Sequence, residues 1–163
     1  MGYLTVEGIR KSFDGEVIIE DISLELHTGE LVSLLGVSGG GKTTLFNVAS
    51  GLLNPDKGRI LLDGEDITGK PGHVSYMLQK DLLLPYRTVE DNVALPLLVK
   101  GMKKKEAREK AGSYFKQFGL EGTQKRYPAQ LSGGMRQRAA LLRTYLFSNS
   151  VALLDEPFSA LDM

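Results

Sequence analysis

The chain has 163 residues, of which 42% are hydrophobic and 25% charged, and 20 Lys+Arg balance 20 Asp+Glu for a formal net charge of +0. That length suits about one domain, and the even charge gives no electrostatic reason to expect nucleic acid or an anionic membrane as the main partner. With no cysteine, disulfides and thiolate metal sites are excluded. The opening residues give no expectation of a secretory leader, and no apolar run approaches the roughly 18 residues of a membrane span. Work at a membrane would therefore mean docking onto another protein.

In chain order, the first third reads as strands. Tyr3, Thr5 and Glu7 alternate with Leu4 and Val6, and Asp14-Gly15 reads as a turn. Val17-Ile18-Ile19 and then Ile22, Leu24 and Leu26 continue the period of two up to the turn at Thr28-Gly29. The apolar run Leu31–Leu35 suits a strand buried on both faces. Residues 43–50 predict a helix stopped by Gly51. The turn Asn54–Gly58 leads to a strand over Arg59–Leu62, closed by Asp63-Gly64, and His73–Leu78 is a further strand candidate.

The middle changes character. Thr88 reads as an N-cap, with Asp91 standing where a Glu or Gln would complete a capping box. The helix it starts would run towards Val99, and Pro96 argues for a kink or an early end. A second helix is predicted over Lys103–Phe118, with Ala107, Ala111, Tyr114, Phe115 and Phe118 on one face. A third starts near Ser132-Gly133-Gly134 and runs towards Phe147, and Val151–Leu154 reads as a buried strand. The pattern predicts a strand-rich core with a helical insertion between Gln79 and Val151.

Three strings carry chemistry. Gly36-x-x-x-x-Gly41-Lys42-Thr43 satisfies the P-loop pattern in its required setting of strand, loop and helix. Its glycines let backbone N–H groups converge on phosphate oxygens without interference from Cβ atoms, and the helix start adds donors and a positive dipole end. Lys42 would reach the β- and γ-phosphates of a nucleoside triphosphate, and the Thr43 hydroxyl would ligate Mg²⁺. The expected binding set is Gly36, Val37, Ser38, Gly39, Gly40, Gly41, Lys42, Thr43 and Thr44.

Asp155 follows four apolar residues, so it stands at the C-terminal end of a strand, where ligands bind in open α/β sheets. A carboxylate there suits Mg²⁺, and the adjacent Glu156 suits the orientation or deprotonation of a water. Leu131–Gln137, reading LSGGMRQ, opens another helix with hydroxyl, donors and dipole. Two phosphate-type helix starts in one chain imply either two anions or two copies that share one.

These strings, in this order and over nearly the whole length, resemble the nucleotide-binding subunit of an ABC transporter. Gly36–Thr43 resembles the Walker A loop, Gln79 the Q-loop glutamine and Leu131–Gln137 the family signature. Val151–Glu156 resembles the Walker B strand and Ser159-Ala160-Leu161-Asp162 the D-loop, while Phe13 lies where the family places an aromatic that stacks on adenine. The resemblance implies an α/β P-loop NTPase fold with a RecA-like core, an N-terminal antiparallel β-subdomain and a helical insertion. It implies an ATP-binding core over residues 1–79 and 148–163 and a mostly helical subdomain over 80–147.

The resemblance further implies a transport-coupled ATPase that uses ATP and Mg²⁺. Glu156, Lys42 and Gln79 would be its catalytic residues, and Thr43, Gln79 and Asp155 its metal contacts. Two copies would face head to tail, with Ser132, Gly133 and Gly134 meeting the γ-phosphate in trans. The expected partners are a second copy, a membrane-spanning permease and, indirectly, a solute-binding protein. The expected place is the cytoplasmic face of the cell membrane, as a peripheral subunit, with no nucleic acid bound.

The apolar segment Asp81–Tyr86 would be the surface that meets the permease. The strings MLQKDLLLPYRTVEDNV and SGGMRQRAALLRTYLFS look most like importers of nitrate, sulfonate, taurine and related small molecules. Lys103-Lys104-Lys105 reads as a solvated helix start, and His27 and His73 lack metal-ligand spacing. Family members continue past the D-loop to a further strand and a switch histidine, and no histidine follows His73 here. The expectation is a domain incomplete at the C-terminus, with strand edges and apolar side chains uncovered. The alternative function is a nucleotide-binding remnant without turnover.

Overall fold

The computed structural model describes residues 3–158, so the D-loop string 159–162 lies outside the described residues. The chain divides into two compact units: Met1–Tyr76 with Asn149–Leu153, and Met77–Ser148 with Leu154–Met163.

The first unit is built on an antiparallel sheet. Strands β1 (Leu4–Phe13) and β2 (Glu16–Leu26) form a hairpin in which Phe13 pairs with Glu16. Its two-residue loop has Asp14 at φ 49° and Gly15 at φ 86°. Both are left-handed, as a type I′ turn requires to match the strand twist. Strand β3 (Lys57–Leu62) pairs with the other edge of β1, and β4 (Glu65–Asp66) follows a second turn of the same kind at Asp63-Gly64, giving the order β2-β1-β3-β4. Helix α1 (Lys42–Ala49) buries Leu45, Val48 and Ala49 in one cluster with Leu4, Val6, Ile9 and Ile60. It ends at Ser50, and Gly51 turns left-handed at φ 77°, as the sequence predicts.

One expectation fails in this unit. Residues 31–37 form no strand, and Leu31 and Leu35 are 91% and 94% exposed. A strand is held by its neighbours, and among the described residues no strand pairs with this run on either side.

Strand β5 (Ser75–Met77) pairs with β6 (Ala152–Leu154) in a two-stranded sheet. In the first unit Ser75 N–H donates to the Val151 carbonyl at 2.9 Å, and in the second Asp155 N–H donates to Met77 at 3.0 Å. Partners thus ascend together along both strands, as in a parallel pair. The strand is not buried throughout as predicted: Val151 and Leu153 are buried, whereas Ala152 is exposed.

The second unit is helical. Thr88 caps α2 (Val89–Val93), its hydroxyl accepting from Asp91 N–H at 3.3 Å. Pro96 then starts a separate helix, α3 (Leu95–Val99), because a proline ring cannot sit inside a continuing α-helix. Asp91 closes no capping box; its carboxylate takes a two-pronged ion pair from Arg108 at 2.7 and 2.8 Å. Helix α4 (Lys104–Gly112) is shorter than predicted. Gly112 and Ser113 are weak helix formers, the Ser113 hydroxyl donates to the Lys110 carbonyl at 2.7 Å, and the chain continues in turns to Phe118. The predicted face survives the change, since Ala107, Ala111 and Phe115 are buried and Tyr114 and Phe118 pack against them. Burying Phe115 fully stabilises the unit by about 2–3 kcal/mol. Helix α5 (Gly133–Phe147) joins the same core through Ala139, Leu142 and Leu146.

Candidate functional site

In the first unit the loop before α1 is shaped by glycine and closed by lysine. Gly40 N–H donates to the Val37 carbonyl at 3.1 Å, and a Cβ on Gly40 would lie 3.0 Å from that same oxygen. Gly41 is left-handed at φ 82°, and a Cβ there would stand 3.0 Å from the Ile18 carbonyl oxygen. Lys42 folds back over the loop, its Nζ donating to the carbonyls of Gly36 at 2.8 Å and Val37 at 2.7 Å. An ammonium carries three protons, so two bonds leave one for an oxygen held in the loop. No side chain caps α1 at Gly41, and a helix start of this kind presents backbone donors and a positive dipole end to an anion. The cradle fits a polyphosphate.

Phe13 belongs to the same unit, at the end of β1, and its ring is 45% exposed. Lys11 Nζ stands over that ring, 5.4 Å from its centre.

In the second unit Gln79 and Glu156, each just past the end of one strand of the β5–β6 pair, meet. Gln79 Nε2 donates to the Glu156 carboxylate at 2.8 Å. Glu156 is left-handed at φ 48°, which costs a non-glycine residue strain of order 1 kcal/mol. Its carbonyl accepts from the Gln137 side chain at 3.0 Å. Gln137 is buried on α5. The sequence reading gave Gln137 no role of its own. Its signal was a polar side chain at a helix position that turns inward, legible only once the face of α5 is known. Asp155 is buried, 4% exposed.

Ser132 caps α5, its hydroxyl oxygen accepting from Met135 N–H at 3.2 Å. The hydroxyl proton is still able to donate, and Gly133 and Gly134 leave the first turn without bulk. The segment after Gln79 is tied to α5 by two arginines. Arg136 pairs with the Asp81 carboxylate at 3.2 Å, and Arg143 donates to the carbonyls of Asp81 and Leu82 at 2.5 and 2.9 Å. Burial lowers the Arg143 pKa from its ordinary value, partly offset by the Asp81 charge. Buried Asn92 holds the next residues, exchanging bonds with Leu84 N–H and carbonyl at 2.7 and 3.0 Å. Leu82 and Tyr86 point outward from this fastened loop, 52% and 73% exposed.

The metal donors named from the sequence are a hydroxyl, an amide and a carboxylate, a set of hard oxygens that suits Mg²⁺. Among the described residues no group of three or more His, Asp or Glu is placed to hold a metal ion. An ion would thus need phosphate and water oxygens to complete its shell. No helix among the described residues is long and apolar enough to cross a membrane.

Known proteins resemble this chain in family and in fold. The family described as ABC transporter matches residues 19–159. The formylaminopyrimidine import ATP-binding protein ThiZ of Halalkalibacterium halodurans is 48% identical over 145 residues, covering 89% of this chain and 56% of that protein. The Fe(3+) ions import ATP-binding protein FbpC of Rhizobium etli is 47% identical, covering 99% of this chain and 46% of that protein. An uncharacterized ABC transporter ATP-binding protein of Bacillus subtilis, YtlC, is 41% identical and covers 99% of this chain and 64% of its own length. The chain thus spans between 46% and 64% of the length of these relatives. Among solved structures, the dimeric ATP-binding cassette MJ0796 in a post-hydrolysis state bound to ADP and Pi superposes with a TM-score of 0.88 at 29% identity. That match covers 98% of this chain and 76% of that one.

Proposed function

This chain belongs to the ABC transporter family, and we propose that it forms the ATP-binding, ATP-hydrolysing part of an importer subunit. The observation that carries the proposal is the contact of Gln79 with Glu156 at 2.8 Å. A carboxylate that follows the strand-end Asp155 and is gripped through both side chain and carbonyl suits a general base. Lys42 and the Gly36–Gly41 loop would hold the phosphates, Thr43, Asp155 and Gln79 are the residues that would ligate Mg²⁺, and the ion would supply positive charge to offset that of the phosphates. Glu156 would take the proton of the water that attacks the γ-phosphorus while the bond from that phosphorus to the β–γ bridging oxygen breaks and ADP leaves with the electron pair, and Phe13 stacks on the adenine. Ser132, with Gly133 and Gly134, serves the nucleotide of a second copy, a mode of assembly that the dimeric state of MJ0796 supports.

The exposed Leu82 and Tyr86 form the surface that meets a membrane-spanning permease, which keeps the subunit peripheral on the cytoplasmic face. The solute is a small molecule or ion. The import names of the relatives support that class, and the resemblance of residues 77–93 and 132–148 favours the nitrate, sulfonate and taurine group within it. The test is ATP-dependent association of Glu156→Gln, followed by light scattering. Assembly with ATP but not without it is expected, and no nucleotide-dependent association would count against the proposal. A second reading, nucleotide binding without turnover by these 163 residues alone, is favoured by the exposure of Leu31 and Leu35 just before the loop. ATP binding with hydrolysis no faster than in Lys42→Ala would support it.

A further inference from the structure

The end of β1, where Phe13 projects, is not held by a regular ladder. Its pairing with β3 ends at Arg10 opposite Lys57, and its pairing with β2 shifts register on both sides of Lys11. A strand end in that condition leaves backbone donors to satisfy and is free to fray. One carboxylate takes up the work. Asp56, in the turn before β3, accepts from Ser12 N–H at 2.7 Å, from the Ser12 hydroxyl at 2.5 Å and from Lys11 Nζ at 2.9 Å. Its own N–H donates to the Arg10 carbonyl at 2.8 Å. Three consecutive residues that lead into Phe13 are therefore fastened to a single residue 44 positions or more away in sequence.

The Lys11 contact has a second effect. The Lys11 ammonium stands over the ring of Phe13, two residues on. Drawn by Asp56 from one side and by the ring from the other, it occupies one face and leaves the opposite face for a flat partner.

We propose that Asp56 is a positioning residue for nucleobase binding: it fixes the β1 end and the Lys11 ammonium so that Phe13 offers one set ring face to the base. The inference rests on the reading that Phe13 stacks on the base of ATP. Asp56 touches no phosphate in this scheme, so its removal must spare binding of the phosphate chain.

The experiment compares equilibrium binding of ATP and of inorganic tripolyphosphate to the 163-residue chain and its variants. Asp56→Asn is expected to weaken ATP about tenfold and leave tripolyphosphate unchanged, since charge-assisted bonds are exchanged for weaker ones. Ser12→Ala, which removes only the hydroxyl bond, is expected to shift the same ratio about threefold and serves if Asp56→Asn does not fold. Phe13→Ala calibrates the underlying reading. If it leaves the ratio of ATP to tripolyphosphate affinity unaltered, base stacking on Phe13 is wrong and the inference falls with it. If Phe13→Ala shifts the ratio but both other variants leave it alone, or weaken both ligands equally, Asp56 is a structural residue only and the inference alone is overturned.

Discussion

Gln79 donates its side-chain amide to the carboxylate of Glu156 at 2.8 Å, although 77 positions separate the two in sequence. The same glutamate gives its carbonyl to Gln137 at 3.0 Å. A glutamate at φ 48° does not hold that backbone shape by preference, so these two bonds are what keep it there.

Gln137→Leu keeps the volume and removes the donor. It is expected to lower the ATP turnover number about tenfold while the dissociation constant for ATP moves less than about twofold, since one hydrogen bond to a strained backbone carries about 1–3 kcal/mol. A change in ATP affinity with turnover intact would assign Gln137 to binding.

Lys42 spans the loop from α1 to the carbonyls of Gly36 and Val37. Lys42→Ala deletes both bonds and the positive charge at the proposed phosphate cradle. ATP binding should weaken by roughly 10- to 100-fold, the effect expected of a charge-assisted contact. Titration calorimetry reads it, and unchanged affinity would show that the loop binds without its lysine.

Gly41 combines φ 82° with a Cβ direction that ends 3.0 Å from the Ile18 oxygen. Gly41→Ala meets both obstacles, so a loss of about 1–3 kcal/mol in unfolding free energy is expected. The measurement is the urea midpoint at constant slope. A midpoint equal to that of the unchanged chain would mean that the α1 start is more pliant than its contacts imply.

The Asp56 carboxyl is held at a pKa of about 2 against an ordinary 3.8, first by the Ser12 hydroxyl and then by Lys11 and the Ser12 N–H. A depressed folded-state value means that its stabilising effect is complete above 3.8 and is lost as the pH falls from there to about 2. The Arg108 guanidinium lowers Asp91 in the same sense. The gap in urea midpoint between the unchanged chain and Asp56→Asn should therefore narrow through that acid window and stay constant from about pH 5 to neutrality. A gap that widened on acidification would reverse the sign of the argument.

Local chemistry was the legible part of this sequence. Asp14-Gly15, the Thr88 cap, the break at Pro96, the Ser132 start of α5 and the Gly36–Thr43 loop all act within a few residues of themselves. Each carries its cause in its own side chain or in the lack of one. What depended on distant partners was harder to read. The run Leu31–Leu35 has the composition of a buried strand, but a strand needs neighbours, and its own residues do not show that none flank it among the described residues. The reading of Lys103–Phe118 as one helix followed the apolar face correctly and missed Gly112-Ser113, where that face continues in turns. Gln137 and Asp56 were silent because their partners, Glu156 and Ser12, are 19 and 44 positions away.

The most direct test of the central claim is phosphate release from ATP with Mg²⁺, measured side by side for the unchanged protein, Glu156→Gln and Lys42→Ala. If Glu156 is the base of an ATPase built on this loop, Glu156→Gln keeps ATP binding and loses release by about 10²–10⁴-fold, as removal of a general base does. Lys42→Ala loses both. Release from Glu156→Gln at the rate of the unchanged protein would contradict the account.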